Sequence, residues 1–329
     1  TLVIVIRHID LSVGYIAGFL GAIAAILLTK YAMPVWITIA VVLVLGASIG
    51  IVIGFLVTKM GIPSFVVTLA GMQVFRGALL RVTSSTGTII VPNAGFNAIG
   101  NGYIPKLFSI NGVHGLTLVL GAVAIVLYIW AEFNNRNNKL KYGFEVLSSV
   151  MFTVKLLFVS LVIGYITWIL AGYNGFSWTV VVVIIVVLVY NFITNKTVLG
   201  RHIYAIGGNP DAAKLSGINV NRVSMIVFSS MSTLAALSGI LYTARLQSAT
   251  TTAGLAFELD AIAAAYVGGA SAAGGVGKVT GSIIGAFVMA SLTNGMNLMG
   301  VDISYQYIIR GAVLVAAVIF DVKTRNKKA

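Results

Sequence analysis

The stretch VWITIAVVLVLGASIGIVIGFLV, residues 35–57, decides the fold of this chain. It carries no charged residue, and its apolar residues do not alternate with polar ones as they do in a membrane β-barrel strand. An α-helix rises about 1.5 Å per residue, so about 20 apolar residues span the hydrocarbon core of a bilayer. Only helices and closed barrels satisfy their backbone groups in lipid, so this stretch predicts a membrane-spanning helix.

The composition extends that interpretation to the whole chain. Of the 329 residues, 59% are hydrophobic and 9% are charged, and the mean hydropathy is +1.02. A soluble domain has about 25% charged residues, so we predict an all-α, polytopic membrane protein. No cysteine is present, and the three histidines (His8, His114 and His202) are scattered. The sequence therefore predicts no disulfide, no thiol chemistry and no metal site.

Comparable apolar runs recur along the sequence. Predicted crossings cover residues 13–29, 35–57, 64–82, 115–130, 146–170, 178–192, 223–244, 279–299 and 304–320. A further apolar stretch, Glu258–Gly269, is short for a crossing and favours a half-helix or a broken helix. Together they predict about ten crossings in one transmembrane domain, residues 1–329. Because Thr1 lies inside the apolar run TLVIVI, we expect a further N-terminal segment to be missing.

The basic residues predict the orientation of these crossings. If the tail is cytoplasmic and the crossings alternate, fourteen basic residues face the cytoplasm and four face outward. The cytoplasmic residues are Arg7, Lys59, Arg136, Lys139, Lys141, Lys196, Arg201, Lys214, Arg222, Lys278, Lys323, Arg325, Lys327 and Lys328. The outer residues are Lys30, Arg81, Lys106 and Arg245. An excess of Lys and Arg marks cytoplasmic loops, so the net charge of +13 requires no nucleic acid, and the C-terminus is predicted to be cytoplasmic.

A polar loop at residues 195–222, on the predicted cytoplasmic face, contains the sequence GRHIYAIGGNPDAAKLSGINVN at residues 200–221. Asn209 is a good N-cap residue and Pro210 suits the first helical position. Gly217 can adopt the left-handed conformation that ends a helix. A very short helix is therefore predicted between Asn209 and Gly217.

A helix of one or two turns is not stable alone in water, so it must dock on another surface. Ala212, Leu215 and Ile218 form a small apolar edge at helical spacing. Capping and periodicity leave two surfaces open: the membrane domain of the same chain, which is the commoner case, and a partner protein.

Small residues recur every fourth position in three predicted helices. The three series are Gly14, Gly18 and Ala22; Gly46, Gly50 and Gly54; and Gly277, Gly281 and Gly285. Small residues on one helix face let two backbones approach closely. The series therefore predict tight helix packing, and the first and third are weak signs of an inverted internal repeat.

The glycine-rich sequence GGASAAGGVGK, residues 268–278, is not a phosphate-binding loop. A Walker loop requires glycine where Ala272 stands and serine or threonine where Val279 stands. A GxGxxG motif fails as well, because Thr280 occupies the place of the last glycine. We therefore predict that the chain has no catalytic residues, is not an enzyme, binds no cofactor and has no ATP site of its own.

A path for a sugar or an amino acid requires amide and aromatic side chains on a polar face. The candidates are Gln73, Phe75, Arg76, Gln247, Asn294 and Asn297. Each could instead serve helix–helix hydrogen bonding, and Arg76 could extend to the membrane interface. A secondary transporter would require ionisable groups deep in the membrane, and the sequence offers Arg76, Lys155 and Arg310 but no central carboxylate.

Four blocks of sequence resemble a known family. They are RHIDLSVG (7–14), IPSFVVTLAGMQVFRG (62–77), VLGRHIYAIGGNPDAAKLSGINV (198–220) and FELDAIAAAYVGGASAAGGVGKVTGSIIGA (257–286). Together they are similar to bacterial sugar ABC transporter permeases of the ribose, xylose and multiple-monosaccharide type, in the branched-chain amino acid/ribose permease superfamily. The resemblance covers nearly the whole chain.

The resemblance implies the transmembrane permease subunit of an ATP-driven monosaccharide importer in the bacterial inner membrane. It implies a homodimer, a cytoplasmic ATPase with two nucleotide-binding domains that carries ATP and Mg, and an extracytoplasmic sugar-binding protein. It also implies that one segment contacts the ATPase, namely Gly207, Gly208, Asn209, Pro210, Asp211, Ala212, Ala213, Lys214, Leu215, Ser216 and Gly217. A branched-chain amino acid permease and an ATPase-independent transporter remain as alternatives.

Overall fold

The computed structural model describes residues 1–84, 87–110 and 112–326. Lys327 and Lys328, which enter the orientation argument, lie outside these residues. Contacts divide the chain into two compact units: residues 1–100 with 183–329, and residues 101–182. We describe each unit separately, and the expectation of one transmembrane domain stays a prediction.

Helices dominate the described part of the chain. In chain order they are α1 (Leu2–Val5), α2 (Val13–Thr29), α3 (Val35–Thr58), α4 (Ser64–Thr83), α5 (Ala94–Asn101), α6 (Gly115–Lys141), α7 (Ser149–Gly172), α8 (Trp178–Lys196), α9 (Val198–Gly208), α10 (Pro210–Leu215), α11 (Val220–Leu246), α12 (Phe257–Val267), α13 (Val279–Leu298) and α14 (Ile303–Asn326). Short strands are β1 (Thr88–Ile90), β2 (Ser109–Ile110), β3 (Val113–His114) and β4 (Ser248–Thr250).

Eight of the described helices are long and apolar enough to cross a membrane. They are α3, α4, α6, α7, α8, α11, α13 and α14. Among the described residues, one shorter apolar helix, α2 with 17 residues, accompanies them. The prediction of an all-α polytopic membrane protein is confirmed, whereas the number of about ten crossings stays a prediction.

Helix α2 forms the centre of the first unit. It packs against α3, α4, α11 and α12. Its large side chains Ile16 and Leu20 are fully buried, together with Phe228 of α11. Since α2 is surrounded by other helices, its apolar residues contact protein rather than lipid.

The glycine series determine which helices approach closely. Gly46, Gly50 and Gly54 of α3 face α11, and a Cβ on Gly50 would lie under 3.0 Å from the Phe228 carbonyl oxygen. On α13, a Cβ on Gly285 would lie equally close to the Ala264 carbonyl oxygen of α12. The prediction of close packing is confirmed for these helices, whereas the inverted repeat stays a prediction.

The half-helix expected near Glu258 is α12. The chain pairs β4 with β1 in an antiparallel register that places Thr88 opposite Thr250. It then runs against the buried face of α2, where a Cβ on Gly18 would meet the Ala253 backbone and one on Gly14 the Gly254 carbonyl oxygen. Helix α12 therefore begins beside the first turns of α2. Its 11 residues are fewer than a membrane-spanning helix requires.

The polar segment between α4 and α6 includes short elements of secondary structure. It contains β1, α5, β2 and β3. Helix α5 packs with its Phe96 side chain fully buried. The sequence is rich in Gly and Asn, which favour turns, but tertiary contacts order it into these short elements.

The second unit contains the β2–β3 pair and the helices α6 and α7. Helix α6 extends beyond the predicted crossing at residues 115–130 and continues through Lys141. The charged turns of α6 are stabilised by α7: Lys155 Nζ lies 2.7 Å from Glu132 Oε2, and Arg136 donates to the Leu147 carbonyl at 2.8 Å. Lys155, counted as a charge inside a span, thus has an acidic partner.

Candidate functional site: a capped short helix and polar clusters on the long helices

The short helix α10 has the ends that the sequence predicts. Asn209 Oδ1 accepts hydrogen bonds from the backbone N–H groups of Asp211 and Ala212, both at 3.0 Å. Pro210 opens the helix, and Gly217 has a φ of 83°. Since both helix ends are closed within the loop itself, a six-residue helix can hold its shape on the surface.

The two faces of α10 differ in burial. Ala213 is 3% exposed, and Ile218 packs against the core of the first unit. Leu215 is 90% exposed. The helix is therefore docked on its own chain along one side. Leu215, which the sequence predicts as part of its apolar edge, is exposed on the other side.

The sequence predicts a single helix in this loop, but the structure contains a second one, α9. It begins after Thr197, whose hydroxyl accepts from Gly200 N at 3.2 Å, and it buries Ile203 and Ile206. The capping threonine and the apolar spacing at 199, 203 and 206 were signals that could have found it. Gly207 and Gly208, assigned to the coupling segment, form its last turn.

The segment before α2 is tightly packed. Asp10 Oδ1 accepts from the Ser12 backbone N–H at 2.8 Å and from the Ser12 hydroxyl at 2.6 Å. Burial raises the pKa of the Asp10 carboxyl above its ordinary value of 3.8, although the Ser12 hydrogen bonds oppose this shift. His8 stacks near Phe228 with ring centroids 5.5 Å apart, and burial lowers the pKa of His8.

Three of the predicted path residues lie on α4. Arg76 is exposed, and its guanidinium carbon lies 5.9 Å from the centre of the Tyr15 ring. Phe75 is half-buried, with its ring centroid 5.8 Å from that of Phe19. Gln73, two positions before Phe75 on the same helix, is exposed. Aromatic side chains of α2 therefore support this part of α4.

Two other predicted path residues, Asn294 and Asn297 on α13, line a cavity of about 510 Å³ beside Asp260 of α12. Asn297 Oδ1 accepts from Gln306 Nε2 at 2.8 Å. Asp260 Oδ2 lies 3.3 Å from Arg310 Nη1 of α14. The structure thus brings amide and charged groups together in a cavity formed by α12 and α13.

The sixth predicted path residue, Gln247, ends α11. Its backbone is left-handed, with a φ of 54°, and its carbonyl accepts from Val91 N at 2.8 Å. Its position next to β4 gives it a structural role in ending the helix, and neither of the two clusters above includes it.

Acidic, histidine and cysteine side chains do not assemble into a metal-binding group within residues 1–84, 87–110 and 112–326. The chemistry that these residues can perform is binding and guiding a solute through polar and aromatic contacts.

Comparison with known proteins decides the family. The family described as "Branched-chain amino acid transport system / permease component" matches residues 1–318. The chain belongs to this family of transport permeases. No solved structure matches it significantly.

Individual relatives in this permease family are similar over nearly the whole of this chain. The xylose transport system permease protein XylH of Haemophilus influenzae is 43% identical over 329 residues, which are 99% of this chain and 84% of the relative. XylH of Escherichia coli K12 is 38% identical over 325 residues, 99% of this chain and 80% of that protein. The ribose import permease protein RbsC of the same strain is 35% identical over 328 residues, 100% of this chain and 80% of RbsC.

Membership of this permease family confirms the resemblance found in the motifs. The chain is the permease subunit of an ABC importer, not an enzyme, and it is a multi-pass protein of the bacterial inner membrane. Permeases of ABC importers work with an ATPase and with a substrate-binding protein. The alternative of an ATPase-independent transporter does not agree with this family.

Proposed function

We propose that this permease imports a monosaccharide, and that xylose is the substrate to test first. The observation that carries the proposal is the 43% identity with a xylose permease over the whole of the aligned 329 residues. The chain forms the path and supplies no energy of its own, since its glycine-rich segment lacks the residues of a phosphate loop.

The proposed assembly has two copies of this chain, an ATPase with two nucleotide-binding domains and an external sugar-binding protein. ATP and Mg are bound by the ATPase. The C-terminus and α10 lie on the cytoplasmic side, as the distribution of Lys and Arg predicts. Partner binding can drive transport only if it distinguishes two conformations of the permease.

The proposed ATPase contact is the segment 207–217, centred on α10. The exposed Leu215 supports this role, because a leucine that is 90% exposed at a capped helix end fits an apolar pocket on a partner. Lys214, also exposed, adds a positive charge at the same helix end. The buried Ala213 fixes α10 on the permease, so a force on Leu215 is transmitted to the membrane domain.

The proposed sugar path includes the polar groups of the α12–α13 cavity, together with Gln73, Phe75 and Arg76 of α4. Sugars bind through hydrogen bonds to amides and carboxylates and through stacking on aromatic rings. The cavity contains Asp260, Thr293, Asn294 and Asn297 in otherwise apolar surroundings, which suits a small neutral polyol. Gln247 remains a path candidate from sequence alone.

The proposal is tested in proteoliposomes that contain this permease, its ATPase and its sugar-binding protein. We expect uptake of radiolabelled xylose that requires ATP and the binding protein. Unlabelled ribose, glucose and leucine serve as competitors, and a hydrolysis-deficient ATPase serves as the control. Uptake of xylose that proceeds equally with that ATPase would contradict the proposal.

A branched-chain amino acid is the second candidate substrate, because the matching family is described by that transport system. It would differ from the first proposal only in the solute. ATP-dependent leucine uptake that xylose does not inhibit would favour it and would exclude the monosaccharide.

A further inference from the structure

We propose that Arg7, Tyr204 and the glycine-rich segment 268–278 form a junction that carries the movement of α10 into α2 and the half-helix α12. The glycine junction, as we call these residues, lies directly behind the proposed ATPase contact. The inference rests on the proposed function, because it assigns the residues that connect the contact to the membrane helices.

Arg7 connects the end of α9 to the turn between α1 and α2. Its Nε donates to the Gly207 carbonyl at 2.8 Å, and its Nη2 donates to the Gly208 carbonyl. The last carbonyls of a helix have no partner within the helix and carry partial negative charge. A guanidinium there donates hydrogen bonds to these acceptors and is attracted by their charge. Arg7 itself adopts a left-handed backbone, with a φ of 65°, which directs the chain towards α2.

Three backbones meet at the same point. Gly275 N donates to the Val5 carbonyl at 2.8 Å. A Cβ on Gly207 would lie under 3.0 Å from both the Val5 oxygen and Gly275 N. A Cβ on Gly274 would lie under 3.0 Å from Arg7 Cγ. Glycine has no side chain that could rearrange between these three backbones. A displacement of one backbone must therefore displace the others.

Tyr204 adds a second connection, one turn earlier on α9. Its hydroxyl donates to the Gly277 carbonyl at 2.6 Å. Gly277 is followed by Lys278, the residue before α13, and the glycine-rich segment begins at the end of α12. Tyr204 therefore links α9 to the connection between the half-helix and α13.

The linker between α9 and α10 is too short to absorb a movement of α10. Only Asn209 separates α9 from α10, and its side chain and carbonyl are both used in the first turn of α10. A shift of α10 therefore moves the end of α9. Arg7 bonds the end of α9 to the chain that enters α2, and Tyr204 bonds α9 to the segment that connects α12 with α13. The first residues of α12 in turn pack against Gly14 of α2.

The test compares two tyrosine variants that each lose one hydrogen bond of the same length. Tyr204→Phe removes the bond to Gly277, and Tyr190→Phe removes the 2.6 Å bond between Tyr190 and Ser230 of α11. The readout is the number of ATP molecules hydrolysed per xylose transported by the reconstituted complex. We expect this ratio to rise about threefold in Tyr204→Phe and to stay unchanged in Tyr190→Phe, because losing one hydrogen bond changes an equilibrium by a factor of about 2 to 10.

Equal ratios in the two variants would overturn the inference, since both lose the same type of contact. A wild-type complex that shows no ATP-dependent uptake would instead refute the proposed function. The two failures are thus distinguished by the wild-type measurement.

Hydrogen exchange measured by mass spectrometry tests the physical connection without transport. When the ATPase binds, we expect slower exchange in α10 and also in residues 268–278 of the wild-type permease. In Tyr204→Phe and in Arg7→Lys, the protection of α10 should remain while that of residues 268–278 decreases. Protection of both segments in all variants would show that the ATPase covers the glycine-rich segment directly, and would overturn the junction.

Discussion

At the scale of single residues, different side chains of α10 carry its folding role and its proposed binding role. Ala213 is buried and Asn209 caps the helix, so these residues hold α10 in place. Leu215 is 90% exposed and contributes little to the packing of its own chain. Substitutions at these positions should therefore have different consequences for stability and for coupling.

Leu215→Ala should weaken the association with the ATPase while leaving the permease folded. Burying a leucine side chain is worth about 1.5–3 kcal/mol, so the affinity should fall by about one order of magnitude or more. Co-purification and ATP-dependent uptake measure the effect. Leu298→Ala is the matched control, because Leu298 is 81% exposed at the end of α13, on the predicted outer side. An equal loss of association in both variants would argue against the assigned contact.

Asn209→Ala should destabilise α10 by about 0.5–2 kcal/mol, the usual cost of losing an N-cap. The reason is that two backbone N–H groups lose their acceptor, Asn209 Oδ1. Hydrogen exchange of residues 210–216 should accelerate, and uptake should decrease. Asn209→Asp keeps an acceptor and should restore both measurements. If the aspartate variant behaves like the alanine variant, capping is not the cause.

At the scale of elements, the packing of α12 against α13 depends on backbone approach. Gly285 lies where a Cβ would collide with the Ala264 carbonyl oxygen, and Gly281 has the same relation to Gly268. Gly295, on the same helix, has no atom within 4 Å of such a Cβ. Two glycines of one helix therefore have opposite tolerance to a methyl group.

Gly285→Ala should lower the free energy of unfolding by about 1–3 kcal/mol, the usual cost of overpacking. Gly295→Ala should be neutral or stabilising, since alanine is the better helix former by about 1 kcal/mol. Thermal unfolding in detergent measures both. A Gly285→Ala protein with unchanged thermal stability would contradict close packing of α12 on α13.

At the scale of the whole molecule, orientation determines which surfaces can meet the partners. The prediction that α10 is cytoplasmic rests on the distribution of basic residues and on the alternation of crossings. The β1–β4 pair lies at the other end of α11 in the chain, and is predicted to face outward. An ATPase can contact α10 only if α10 lies on the cytoplasmic side.

The absence of native cysteine makes the orientation directly measurable. Leu215→Cys, in α10, should react with a membrane-impermeant maleimide only in inside-out vesicles. Ile90→Cys, in β1, is exposed in this unit and should react only in right-side-out vesicles. The reverse labelling pattern would place α10 outside and exclude it as the ATPase contact.

The sequence by itself determined that this chain is a helical membrane protein, where its apolar helices lie and how α10 is capped. These properties are local, since they depend on runs of apolar residues and on side chains within a few positions of a helix end. The limits of α2 agree with the predicted crossing to the residue, and Gly217 has the predicted left-handed conformation. Helix α9 was also within reach of the same local signals.

The residues that connect α10 to the membrane helices could be found only in the tertiary structure. Arg7 and Gly207 are 200 positions apart, and Tyr204 and Gly277 are 73 apart, so no local pattern relates them. Their contacts exist because the turn after α1, the end of α9 and the glycine-rich segment 268–278 meet in the first unit. The physical reason is that backbone approach at glycine depends on what the neighbouring helix presents, which is why Gly285 is confined and Gly295 is not.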